Sequence, residues 1–119
     1  MEESDQKEFW AFLNKNTNLY WKGYCNKDRN AAIYEIENIV NNHGYIIDFH
    51  MYSDIEVCLK VEIEERKIPD LYSKLNSFLS LNDIKYEKSD SAHERIVFIN
   101  ITFTQSTGNL RIEVPAVPG

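Results

Sequence analysis

Positions Ala32, Ile36, Ile39, Val40 and His43 recur at steps of three and four, which puts them on one stripe of a helix. Asp28 stands where a carboxylate can cap the first turn, and Gly44 where a left-handed residue can end the last. The spacing therefore predicts a helix over Arg29 to His43. The period then changes to two. Ile47, Phe49 and Met51 alternate with Asp48, His50 and Tyr52; Ile55, Val57, Leu59, Val61 and Ile63 alternate with Glu56, Cys58, Lys60, Glu62 and Glu64. Strict alternation marks two strands with one buried face each.

The register of this hairpin follows from keeping both apolar sets on one face. Pairing Tyr52 with Glu56 leaves Ser53, Asp54 and Ile55 as a three-residue loop, and a five-residue loop would keep the same faces together. Met51 then meets Val57, Phe49 meets Leu59, Ile47 meets Val61 and Tyr45 meets Ile63. Asp48 falls opposite Lys60, a favourable cross-strand pair. A two-residue loop with simple alternation would send one apolar set to the wrong face. On this register Phe49→Asp buries a charge and is expected to unfold the chain, whereas Glu56→Gln should do little.

The remaining elements fall on either side. Ser4 or Asp5 with Glu8 resembles a capping box, and Phe9, Trp10, Phe12 and Leu13 follow, so an N-terminal helical arm is expected within residues 1–16. Leu19, Trp21, Gly23 and Cys25 alternate with Tyr20, Lys22 and Tyr24 as a first strand, with Gly23 marking a bulge or a close backbone approach. Pro69 opens a second helix whose stripe is Ile68, Leu71, Leu75, Phe78 and Leu79, ending near Asn82 and Asp83. Ile84 to Glu87 is a short strand candidate. Arg95 to Thr104 is a long strand with Val97, Ile99, Ile101 and Phe103 on one face. Thr107-Gly108 signals a hairpin turn, Leu110, Ile112 and Val114 a return strand, and Pro115 to Gly119 an extended tail.

These elements imply one α+β domain over residues 1–119. Its core order is β-α-β-β-α-β, a ferredoxin-like antiparallel sheet with both helices on one face and an extra C-terminal hairpin strand. The opposite face is left to solvent, a partner or the N-terminal helix.

The run Gly23-Tyr24-Cys25-Asn26-Lys27-Asp28-Arg29, followed by the helix ending in Asn42-His43-Gly44-Tyr45-Ile46-Ile47-Asp48, resembles the start of an ACT domain. The resemblance covers roughly residues 21–86. Where that family typically has a proline and a glycine after the Asp-Arg pair, Asn30 and Ala31 stand here. The resemblance implies a ferredoxin-like fold and a regulatory module that binds an amino acid at a dimer interface. Ligand capture would then use the turn after the first strand, at Gly23, Asn26, Asp28 and Arg29.

Composition narrows the partners. Thirteen basic against nineteen acidic residues give a net charge of −6, which argues against nucleic acid and anionic membranes, since both need a basic footprint. The apolar runs are strand-sized and the first residues are acidic, so the expectation is a cytoplasmic protein without a membrane segment. Cys25 and Cys58 form no close-spaced motif and read as reduced thiols. His43, His50 and His93 lack ligand spacing, so no metal or cofactor is expected; His43 instead suits the C-terminal carbonyls of its helix. His50 and Cys58 should be cross-strand neighbours, a pair that could be reactive or merely a surface contact. Glu56, Glu62, Glu64 and Glu65 make an acidic outer face, and Tyr20, Trp21 and Tyr24 an aromatic first strand. Nothing here assembles a catalytic constellation. The function expected is a non-enzymatic small-molecule-binding or regulatory module, self-associating through its sheet. The alternative is an acidic inhibitor or immunity-type protein that engages a basic partner by charge complementarity.

Overall fold

Five strands and two helices account for the residues described by the computed structural model, 18–83 and 89–104. The elements are β1 (Leu19–Cys25), α1 (Arg29–Asn41), β2 (Gly44–Ser53), β3 (Glu56–Glu64), a short 3-10 turn (Glu65–Lys67), α2 (Ile68–Phe78), β4 (Ser80–Leu81) and β5 (Glu94–Phe103). The expected N-terminal helix, the strand candidate 84–87, the Thr107-Gly108 turn, the return strand and the tail lie outside the described residues.

The helix over 29–41 starts as its sequence implies. Asp28 accepts a hydrogen bond from the Ala31 amide at 3.2 Å. Its end differs from expectation: Asn42 closes it in right-handed conformation, and no described glycine has positive φ. Gly44 is needed for a different reason. A Cβ there would sit 2.5 Å from the Glu62 carbonyl oxygen, so the glycine lets the chain enter β2 tight against β3. Gly44→Ala should force that backbone apart and cost about 1–3 kcal/mol, read as a lower urea midpoint.

Ala32, Ile36 and Val40 of α1 and Ile68, Leu71 and Leu75 of α2 share one core with Trp21, Val57, Leu59, Val61, Ile63, Val97, Ile99, Ile101 and Phe103. Both helices therefore cover the same face of the sheet, as expected. His43 ties them together. Its Nδ1 lies 2.8 Å from the Ile39 carbonyl oxygen at the end of α1, and its Nε2 lies 2.6 Å from Asp70 in the first turn of α2.

The strand order is β2-β3-β5-β1-β4, and the sheet is mixed. β1 runs parallel to β5; the other neighbouring pairs are antiparallel. This corrects the expected antiparallel ferredoxin-like arrangement, in which the last strand would flank β1 at the sheet edge. That edge is held here by two-residue β4, formed right after α2 ends. Phe78 is the last helical residue, four short of the expected stop. Asn82 extends β4 by donating its amide to the Lys22 carbonyl while its side chain accepts from the Lys22 amide. β5 enters between β1 and β3. The physical reason lies in its own residues: Val97, Ile99, Ile101 and Phe103 have no exposed surface, and the stretch 97–102 is laddered to a neighbour on both sides, which only a central position allows.

Gly23 is the close approach its position implied. A Cβ there would lie 2.8 Å from Leu79 and 3.0 Å from Leu81, the segment that crosses onto β1.

The β2–β3 register holds from Asp48 to Met51, with Asp48 opposite Lys60, Phe49 opposite Leu59, His50 opposite Cys58 and Met51 opposite Val57. Beyond that stretch the ladder slips at both ends of β2. Ile46, not Ile47, faces Val61, and Tyr45 faces Glu62. At the other end Ser53 faces Glu56, so Asp54 and Ile55 form a two-residue turn and Tyr52 is the extra residue. Both bulges lie on the edge strand. Simple alternation would have turned Tyr45 into the core opposite Ile63. The bulge at Ile47 sends Tyr45 outward and leaves Ile47 exposed.

Candidate functional site

The turn after β1 is engaged in holding the fold. Asp28 caps α1. Arg29 Nη1 donates to the Asp54 carbonyl at 2.8 Å and lies 3.6 Å from the Asp54 carboxylate, which fastens the β2–β3 turn to the start of α1. Gly23 is packed beneath Leu79 and Leu81. Asn26 is exposed. Gly23, Asn26, Asp28 and Arg29 are thus neighbours along the chain, and two of them already spend their polar groups inside the protein.

His50 and Cys58 face each other across β2 and β3, as the alternation predicts. The His50 ring, however, meets the Tyr52 ring edge-on at 4.5 Å. Burial pushes the Cys58 thiol above its ordinary range, and the nearby Asp48 carboxylate adds to the shift. Both effects disfavour the thiolate, which is the nucleophilic form. Cys58 should therefore alkylate more slowly than a free thiol at neutral pH, as measured with iodoacetamide; a faster reaction would restore the reactive-pair reading. Cys25 is buried in the core. Among the described residues, no group of three or more His, Cys, Asp or Glu side chains could hold a metal ion. No described helix is long and apolar enough to cross a membrane.

The face turned away from the helices is the larger feature. Since Val57, Leu59, Val61 and Ile63 point into the core, Glu56, Cys58, Lys60, Glu62 and Glu64 point out, joined on β2 by Tyr45, Asp48 and His50. Seven large apolar side chains are exposed among the described residues. Four of them (Tyr45, Ile47, Met51 and Tyr52) belong to β2, the sheet edge. The Gly44–Glu64 hairpin carries five carboxylates and one lysine. Asp54 is paired with Arg29, and Glu64 with Arg66 at 2.7 Å. Asp48, Glu56 and Glu62 have no ion pair within 4.0 Å among the described residues. Glu65, expected on the same surface, instead sits in the 3-10 turn and binds Arg95 at 3.0 Å. The result is an edge strip with tyrosines near its two ends and carboxylates between them. The exposure of Tyr45 and Ile47 comes from the bulge, which alternation alone does not announce.

The other half of that face differs in character. Tyr20 stacks on Phe98 with ring centres 5.1 Å apart, and Tyr24 is exposed four residues on. Trp21, grouped with them in the sequence, is a core residue whose ring meets Tyr72 edge-on at 5.4 Å. No family model, curated protein or solved structure matches the chain.

Proposed function

We propose that the chain is a non-catalytic binding module that holds a basic protein partner against the outward surface of the β2–β3 hairpin. The observation that supports this reading is the edge strip itself. Tyr45 and Tyr52 supply exposed aromatic anchors, and beside them stand Asp48, Glu56 and Glu62, which have no ion pair within 4.0 Å among the described residues. Tyrosine is enriched among residues that dominate binding energy, and a rim of one sign speeds encounter with the opposite sign. The bulges on β2 and the shortness of β4 disfavour edge-to-edge pairing of two copies, because they break the run of free backbone groups.

The test is a pull-down from source cells, followed by direct binding of whatever protein is captured. Tyr45→Ala with Tyr52→Ala should abolish capture, whereas Tyr34→Ala, an exposed tyrosine on α1, should leave it intact. Equal capture by both variants would remove the edge strip from the account.

An amino-acid ligand at the Gly23–Arg29 turn is a separate reading with a separate test. With Asp28 and Arg29 engaged as described, millimolar amino acids should leave Tm unchanged. A ligand at a hundred times its Kd would add about 2.7 kcal/mol, a rise of several degrees. Such a rise, abolished by Arg29→Ala, would put the ligand reading first.

A further inference from the structure

The outward side of β1, with the part of β5 beside it, differs from the acidic hairpin. Trp21 and Gly23 point into the core, so Tyr20, Lys22 and Tyr24 point out; Val97, Ile99 and Ile101 point in, so Phe98 and Asn100 point out beside them. None of these outward side chains is a carboxylate, although the chain as a whole carries a net charge of −6. The Tyr20 ring stacks on Phe98, 8° from parallel with centres 5.1 Å apart, yet Tyr20 keeps 68% of its surface exposed. One face of the ring is therefore used and the other is open, and the contact fixes the ring's orientation. Lys22 follows on the same side of β1, about 6.6 Å farther along the strand, and has no ion pair within 4.0 Å among the described residues. Lys60 neighbours Phe98 from β3. Its ammonium lies 5.8 Å from the centre of the Phe98 ring and makes no ion pair with Asp48, which faces it on β2. A second positive charge thus leans toward the aromatic pair.

We propose that Tyr20 and Lys22 bind a nucleoside monophosphate, the base stacked on the open face of Tyr20 and the phosphate held by the Lys22 ammonium. The chemistry follows from the two side chains. An exposed aromatic ring takes any nucleobase by its π-face, and a ring already oriented by Phe98 loses little freedom on binding. A lysine without an ion pair receives a phosphate as a point charge. One base and one phosphate match one open ring face and one adjacent cation. The site is therefore sized for a mononucleotide rather than a strand, whose binding needs a run of cations that a net charge of −6 does not supply. The acidic hairpin does not oppose it. Glu56 and Glu62 are on β3, two strand spacings from β1, or about 9.6 Å, which exceeds the screening length of about 8 Å at physiological salt. The footprint on β1 leaves both carboxylates open, so this inference does not rest on the binding reading above.

The experiment titrates adenosine monophosphate, and separately adenosine, into the full-length chain by calorimetry. Saturable one-site binding of the monophosphate is expected, with a Kd in the millimolar range or below. Tyr20→Ala should weaken it about tenfold and weaken adenosine by the same factor, since both lose the stacked ring. Lys22→Ala should weaken the monophosphate about threefold and leave adenosine unchanged, because only the phosphate meets the ammonium. Tyr34→Ala, at an exposed tyrosine on α1, should change neither. No saturable heat with millimolar monophosphate would overturn the proposal. So would a Tyr20→Ala chain that binds as the wild type does, or a Lys22→Ala effect of equal size on adenosine.

Discussion

Ile99→Asp should leave the chain unfolded at room temperature, with circular dichroism of a coil and no cooperative urea transition. Ile99 is on the central strand and fully buried, between Trp21 on one side and Leu59 on the other. A carboxylate there has no partner and no route to water. Its burial costs several kcal/mol on top of the lost packing, against a total stability of about 5–15 kcal/mol for a domain. Phe49→Asp makes the instructive contrast. Simple alternation gives it the same outcome, yet β2 is an edge strand and Phe49 is only half-buried. An aspartate there can turn toward solvent, so this variant should fold with a lowered midpoint. If Ile99→Asp melts like the wild type, or Phe49→Asp is the more damaging of the two, β5 is not the central strand.

The second large effect is expected at Arg95. Its side chain is 9% exposed and donates to Glu65, itself 16% exposed, at 3.0 Å. The pair fastens the 3-10 turn after β3 to the start of β5. Arg95→Ala leaves the carboxylate without its main cation and should cost about 3 kcal/mol at neutral pH. Hydrogen bonding from Ser89, then the hydrogen bond and charge of Arg95, hold the Glu65 carboxyl below the usual range, against the opposing effect of burial. A group lowered on folding stabilises above its unfolded value, about 4.3, and that contribution is lost as pH falls through the folded value. The gap between wild type and variant in urea should therefore narrow as the solution is taken below about pH 4. A gap that stays constant into strong acid would assign the cost to lost packing of the arginine stem rather than to the pair.

Local features were legible in the sequence because they are decided locally. Asp28 caps α1 through its own side chain, and Pro69 opens α2 near its first position. Asp48 meets Lys60 because alternation on two adjacent strands leaves few registers. The strand order was not legible, since the insertion of β5 between β1 and β3 is a long-range choice among several that would bury the same apolar faces. Nor were the bulges at Ile47 and Tyr52. They are set by how β2 leaves α1 and how its turn closes, and they change no residue type. The site suffered most from this. Tyr45 and Ile47 belong to the core in simple alternation, yet they are exposed beside the acidic hairpin.

The binding account is tested most directly by the salt dependence of affinity for a captured partner. Kd should rise steeply from low to moderate salt, because charges beyond about 10 Å are screened at 0.1 M. Glu56→Lys with Glu62→Lys should weaken binding at low salt and flatten that dependence. A Kd that is constant with salt, or unchanged by reversing both charges, would contradict a partner held by the acidic edge of this sheet.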